Sequence, residues 1–340
     1  MATRTVLHIG TMKSGTSHLQ SRLFANQEAL AGAGILVPGE GWGAQVRAVK
    51  DVLAIHRHGP EVATGAWQRL VDEMAAHDGP AVVSMEFLGP VGSSLIEHIC
   101  GSVTGPEIVI TVRDLNRTLV AMWQETVQNG RSWTFSDYLA GAEAFRPRPG
   151  RRMKQVPETG RTFWRQQNVV RMARDWSAVA PTSVVTLPPP GAPRTLLWDR
   201  FCQVLGVPSE GWAEAVNSNE SIGAASVLVL RRLNALLDDA GHRFPAGDGL
   251  RKQFLAKRVL AARKAQEPSI GLPVAPWVDE QAALMVRQLE DMDLTLVGDW
   301  KELTPVAVPG IAPDEVATEE VLDAALVGLS ALVAREIESA

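Results

Sequence analysis

Short apolar runs and stretches of helical period alternate along the first two-thirds of the chain. Runs of strand type fall at 5–9, 35–37, 81–85, 107–112 and 183–187. Between most of them apolar residues recur at helical spacing, as in Val46, Val49 and Leu53, in Trp67, Leu70, Val71 and Met74, and in Leu119, Val120, Trp123 and Val127. Strands with helices between them predict an α/β fold: a parallel sheet with helices on both faces. Such sheets bind ligands at the carboxyl ends of their strands. Gly10, Glu86 and Arg113 stand at or just past such ends. After about residue 215 the pattern predicts helices alone, near 222–240, 250–265 and 278–295, and Pro305 and Pro309 close that part. A tail from Val316 to Ile337 is amphipathic and is expected to pack on the body or on a second copy of the chain. The expected organisation is an α/β core over 1–215, a helical part of the same domain over 216–304, and a tail helix over 305–340.

The first strand leads into the most informative segment. Thr5-Val6-Leu7-His8-Ile9 ends at Gly10, and Lys13-Ser14-Gly15-Thr16-Ser17 opens a helix carrying Leu19 and Leu23. A strand, a glycine loop and a helix start point backbone N–H groups and a helix N-terminus at an anion. Lys13 adds a point charge, and Ser14, Thr16 and Ser17 add hydroxyls. A Walker A loop places its lysine directly after the second glycine. Here Thr16 holds that position, and Lys13 comes two residues before Gly15.

Composition narrows the partners. The chain has 340 residues, is 46% hydrophobic, and carries a net charge of −5, which argues against nucleic acid as the main partner. Cys100 and Cys202 are too few for a disulfide framework and lack metal-ligand spacing, so two buried thiols in a reducing compartment are expected. No signal peptide and no apolar run of membrane-spanning length is visible, which fits a cytosolic protein.

The order K-[ST]-G-[ST]-[ST] after a first strand resembles the 5′-phosphosulfate loop of sulfotransferases, whose sulfuryl donor is 3′-phosphoadenosine 5′-phosphosulfate (PAPS). The resemblance implies a P-loop-like, three-layer α/β fold. It also implies that Lys13, Ser14, Gly15, Thr16 and Ser17 bind the donor. A strand-end arginine holds the 3′-phosphate in that family, and Arg113, after Ile108-Val109-Ile110-Thr111-Val112, matches it. The serine expected eight residues on is Ala121, a departure. Trp123-Gln124-Glu125 resembles a run in bacterial, actinobacterial-type relatives. Val184 to Gly191 with Phe201, Leu205 and Gly206, and Asn219 to Gly223, resemble further family stretches. Gly298-Asp299-Trp300-Lys301 echoes a G-x-W-K motif without the Arg-Lys-Gly that normally precedes it, so Gly298 reads as a helix C-cap. The likeness runs over about residues 4–303.

Sulfuryl transfer to a hydroxyl needs a base and cationic help for the leaving phosphate. Glu86, at a strand end expected to face Lys13, is one candidate base, and His18, in the first turn after Thr16, is the other. Lys13 would assist the leaving phosphate, and no metal is required. The acceptor would be a small molecule or a saccharide. The tail helix could pair two copies. Rival readings are a P-loop kinase and a non-catalytic nucleotide-binding module. Arg113 could instead form an ion pair with Asp114 or Glu125, and Glu86 could cap a helix. His56 and His58 read as a solvated helix end. Arg146, Arg148, Arg151, Arg152 and Lys154 form a basic loop, either a lid or a solvated segment. Arg251, Lys252, Lys257, Arg258, Arg263 and Lys264 read as the wet face of a helix.

Overall fold

In a computed structural model of the chain, residues 3–148, 157–214, 221–245 and 248–339 are described. The chain divides into two compact units. One comprises Met1–Asp114, Arg165–Asn217 and Ala282–Thr304; the other comprises Leu115–Trp164, Ser218–Gln281 and Pro305–Ala340.

The first unit holds an all-parallel sheet of five strands: β1 (Arg4–His8), β2 (Pro80–Ser84), β3 (Pro106–Val112), β4 (Thr182–Thr186) and β5 (Thr295–Val297). Their order is β2-β1-β3-β4-β5. The α/β expectation therefore holds. Because β2 and β3 flank β1 on opposite sides, the chain reverses direction across the sheet at β1. That is the topological switch point where α/β sheets take ligands.

Alternation along the strands divides the core into two faces. Leu7, Ile9, Ala81, Val83, Ile108, Ile110 and Val112 join one cluster, with buried residues of Trp42–His58, Ala66–Ala76, Ser93–Ser102 and Val169–Ser177. Val6, Val82, Val109 and Val185 join the other, with Leu19 and Leu23 of Thr16–Ala25 and Leu197, Trp198 and Phe201 of Leu196–Leu205. Both faces being covered explains why the strands carry so few charges.

Four expectations along the chain are corrected. The run 35–37 is not a strand; it makes a single bridge, Leu36 to Ala81, before Pro38 and Gly39 turn the chain away. Strands do not stop near 215, since β5 pairs in parallel with β4. The helix expected over 278–295 is Pro276–Glu290, and the apolar residues Leu294 and Leu296 beyond it belong to the approach and the strand. Gly298 follows β5 with φ 115 and is not a helix C-cap.

In the second unit, Leu115–Gln128, Phe135–Ala144, Ala224–Asp239 and Thr318–Ser339 are α-helices. Gly249–Leu260 winds as a π-helix and continues as a 3₁₀ turn, Ala261–Gln266. The expectation that its basic residues form a wet face is corrected: they are not uniformly exposed. Arg251 is buried, with its guanidinium 5.6 Å from the centre of the Phe244 ring. Lys252 donates to Glu125 at 3.1 Å and to Asn129, and Arg263 pairs with Glu267 at 2.9 Å. Arg146 of the basic loop pairs with Glu280 at 3.2 Å. Arg151, Arg152, Lys154, Asn219 and Glu220 lie outside the described residues.

Cys100 and Cys202 are buried free thiols, and burial pushes them up to about 11 and about 12 respectively. His56 and His58 are exposed at the end of Trp42–His58. Among the described residues, no helix is long and apolar enough to cross a membrane.

Candidate active site

The β1–β3 ladder does not end with the strand. Ile9 N–H donates to Val109 C=O and Thr11 N–H to Thr111 C=O, both at 2.9 Å, so the loop leaves the sheet already aligned with β3. Lys13 then adopts φ 65, the only positive φ outside glycine among the described residues. Gly15 follows at φ 85 and caps the helix Thr16–Ala25. Left-handed residues set among right-handed ones turn successive N–H groups into one concavity, an anion-binding nest. The helix N-terminus adds its own donors and positive potential. The first turn carries no acidic residue to compete with an anion.

Two glycines are sterically required here. A Cβ on Gly15 would lie 2.4 Å from Leu197 Cδ2 and 2.9 Å from Leu187 Cδ1. A Cβ on Gly10 would lie 2.5 Å from Thr111 Oγ1 and 2.7 Å from Thr16 Cγ2. The loop is therefore packed from below by Leu187, by Leu197 of the helix Leu196–Leu205 and by β3.

Lys13, Ser17 and His18 are half-buried, while Ser14 and Thr16 are buried. Ser14 thus faces inward: its hydroxyl donates to Thr11 C=O at 2.5 Å and meets Thr111 Oγ1 at 2.7 Å. Glu86 opens a 3₁₀ turn, Glu86–Leu88, two residues beyond β2. It is tied to the loop helix, because Gln20 Nε2 donates to Glu86 Oε2 at 2.8 Å and to Ser84 C=O at 3.0 Å. Arg113 directly follows β3, two residues after Thr111, and is half-buried. Thus Lys13, Glu86 and Arg113 occupy the carboxyl ends of three adjacent strands, β1, β2 and β3. His18 lies in the first turn of the loop helix. Ala121 lies on the helix Leu115–Gln128.

Several residues that shape the site were not singled out in the sequence. Gln20 is one. Gln167 is another, buried and donating to Met12 C=O at 2.9 Å. Beneath the loop, His8, Ser84 and Thr111 are fully buried polar residues near the ends of β1, β2 and β3. His8 Nδ1 is 2.7 Å from Ser84 Oγ, and His8 Nε2 is 3.0 Å from Thr111 Oγ1. Burial lowers the His8 pKa to about 3, so the ring is neutral. The available signal was three polar residues interrupting apolar strands at nearly equivalent positions.

The donor set would suit a phosphate or sulfate: a nest of N–H groups, a helix N-terminus, an ammonium, hydroxyls, and a guanidinium on the next strand. These residues fit a ligand carrying anionic groups at two places. No protein-family model matches the sequence, and no curated protein matches it. One solved structure that it resembles is a sulfotransferase from Alicyclobacillus acidocaldarius, at 17% identity and a TM-score of 0.41, covering 77% of this chain and 99% of that one.

Proposed function

We propose that the chain moves a sulfuryl group from PAPS to a hydroxyl of a small-molecule or saccharide acceptor, leaving adenosine 3′,5′-bisphosphate (PAP). The observation that carries this reading is the loop itself. A lysine in left-handed conformation precedes a left-handed glycine at a helix start, and an arginine ends the neighbouring strand. One anion site alone suits any nucleotide. A second cation on β3 suits a nucleotide with phosphate at both ends of its ribose.

In this reading the N–H groups of Ser14 to Ser17 hold the 5′-phosphosulfate, and Lys13 balances the charge that grows on the leaving phosphate. Arg113 offers its fork to the 3′-phosphate. PAPS supplies the activated sulfuryl group. Gln20 holds Glu86 Oε2, so Oε1 is the atom assigned to receive the acceptor's proton. His18 is the alternative base. The reading also expects the enzyme to work in the cytosol of a bacterium.

Calorimetry separates this function from its rivals. The chain is expected to bind adenosine 3′,5′-bisphosphate in preference to ATP·Mg²⁺. Preference for ATP·Mg²⁺ would indicate a kinase. Absence of bisphosphate binding at high micromolar concentration would overturn the reading. Binding without sulfate gain by any acceptor, followed by mass spectrometry, would leave a nucleotide-binding module.

A further inference from the structure

The hydrogen bonds beneath the loop can be followed proton by proton. Ser14 has one hydroxyl proton, and it goes to Thr11 C=O. In its contact with Thr111, Ser14 must therefore accept, so the single proton of Thr111 goes to Ser14. Thr111 then accepts at its contact with His8, which places a proton on His8 Nε2. With the ring neutral, Nδ1 is bare and accepts from Ser84. The chain runs one way: Ser84 O–H to His8, His8 Nε2–H to Thr111, Thr111 O–H to Ser14, Ser14 O–H to Thr11 C=O. Reversing a hydroxyl link would ask one proton to serve two contacts, and reversing the Ser84 link would put a second proton, and a charge, on the buried ring.

The members of this chain are neighbours of the site residues. Ser84 lies two residues before Glu86, Thr111 two before Arg113, and Ser14 directly after Lys13. The register places His8 opposite Ser84 on β2 and Val109 on β3, so one ring spans the gap between both neighbouring strands. The Phe201 ring of the helix Leu196–Leu205 packs edge-to-face with His8, 5.2 Å centre to centre.

We infer that His8 is a positioning residue: as the neutral Nε2–H tautomer it links the ends of β1, β2 and β3 and holds Ser14, and with it the loop, in the phosphate-receiving conformation. The role rests on the phosphate-loop reading; the tautomer does not. A neutral imidazole offers a donor and an acceptor on opposite sides of a flat ring, which matches the two contacts seen here.

The test has two arms on the full chain. In the first, nitrogen NMR of ¹⁵N-histidine-labelled protein should show one imidazole fixed as the Nε2–H tautomer and still neutral at pH 5, and that signal should vanish in His8→Gln. A His8 signal that averages between tautomers, or that protonates near the ordinary value of 6.5, would overturn the inference. In the second, calorimetry with adenosine 3′,5′-bisphosphate compares wild type, His8→Phe, His8→Gln and Thr111→Val. Loss of a link should weaken binding about tenfold or more in His8→Phe and Thr111→Val, with recovery in His8→Gln, whose amide can both donate and accept. Thr111→Val keeps the shape of the side chain and decides the matter if His8→Phe does not fold. Unchanged affinity in Thr111→Val would overturn the positioning role. Failure of wild type to bind would instead sink the phosphate-loop reading, with the NMR arm still deciding the tautomer.

Discussion

Glu86 and His18 compete for one role, and their surroundings differ. Glu86 is held by Gln20, itself buried in the loop helix, so its carboxylate is oriented before any ligand arrives. Orientation of a base is worth more than its mere presence, since proton transfer needs heavy atoms within hydrogen-bond reach. Glu86→Gln keeps the shape and the contact with Gln20 but cannot accept a proton. It should bind adenosine 3′,5′-bisphosphate as wild type does, and should lose about 10²–10⁴-fold in turnover measured as sulfate gain. Full turnover in that variant would transfer the role to His18, and His18→Gln would then carry the loss. The placement of Lys13, Glu86 and Arg113 was legible because charged residues at strand ends stand out against apolar runs. Gln20, Gln167 and His8 were not, because their partners lie 66, 155 and up to 103 residues away in sequence.

At the scale of elements, the far edge of the sheet shows what local pattern misses. β5 is three residues long and follows a helix after a short gap, so its apolar residues extend the helical period in sequence. What makes it a strand is non-local: pairing with β4, and a polar knot just beyond. Arg200 donates to Glu302 through both Nη atoms, at 2.7 and 2.8 Å, and to Thr186 C=O at 2.7 Å. Thr186 donates to the same carboxylate. A Cβ on Gly298 would collide with Thr186, which is why the chain turns here on a glycine. Burial raises the pKa of Glu302, but the bonds from Arg200 and Thr186 outweigh it, and the carboxyl ends below its ordinary value of 4.5. A carboxylate depressed on folding stabilises the fold above its unfolded pKa, and loses that contribution as pH falls through the folded one. Glu302→Gln should therefore cost about 1–3 kcal/mol at pH 7. In denaturant melts the gap to wild type should narrow below pH 4.5. A gap constant from pH 7 to pH 3 would exclude the linkage.

At the scale of the whole molecule, the helix Thr318–Ser339 is the feature without an obvious covering. Val321, Ala324 and Gly328 are buried, whereas Leu322, Leu326, Leu329, Val333 and Ile337 are exposed, Ile337 at 72%. Steps of four, three, four and four residues put these five on one face of the helix. Arg335 turns to the body, its guanidinium 4.9 Å from the centre of the Phe254 ring, and a second copy laid antiparallel on the exposed apolar face would oppose the two helix dipoles. The proposed partner is therefore another copy of this chain. Sedimentation should find a dimer that Leu326→Glu with Leu329→Glu converts to a monomer; a monomeric wild type would refute it. The face was legible as an amphipathic tail, because helical period survives without tertiary context.

The backbone of Lys13 bears on the molecule as a whole as well. A side chain other than glycine held left-handed costs about 1–3 kcal/mol, against a net stability of roughly 5–15 kcal/mol for an entire domain. Glycine would sit there at ease, so a search for thermal robustness alone would select it and delete the charge. If Lys13 serves the proposed transfer, the loop's one left-handed side chain and its catalytic cation are the same residue, and robustness and activity pull that residue in opposite directions.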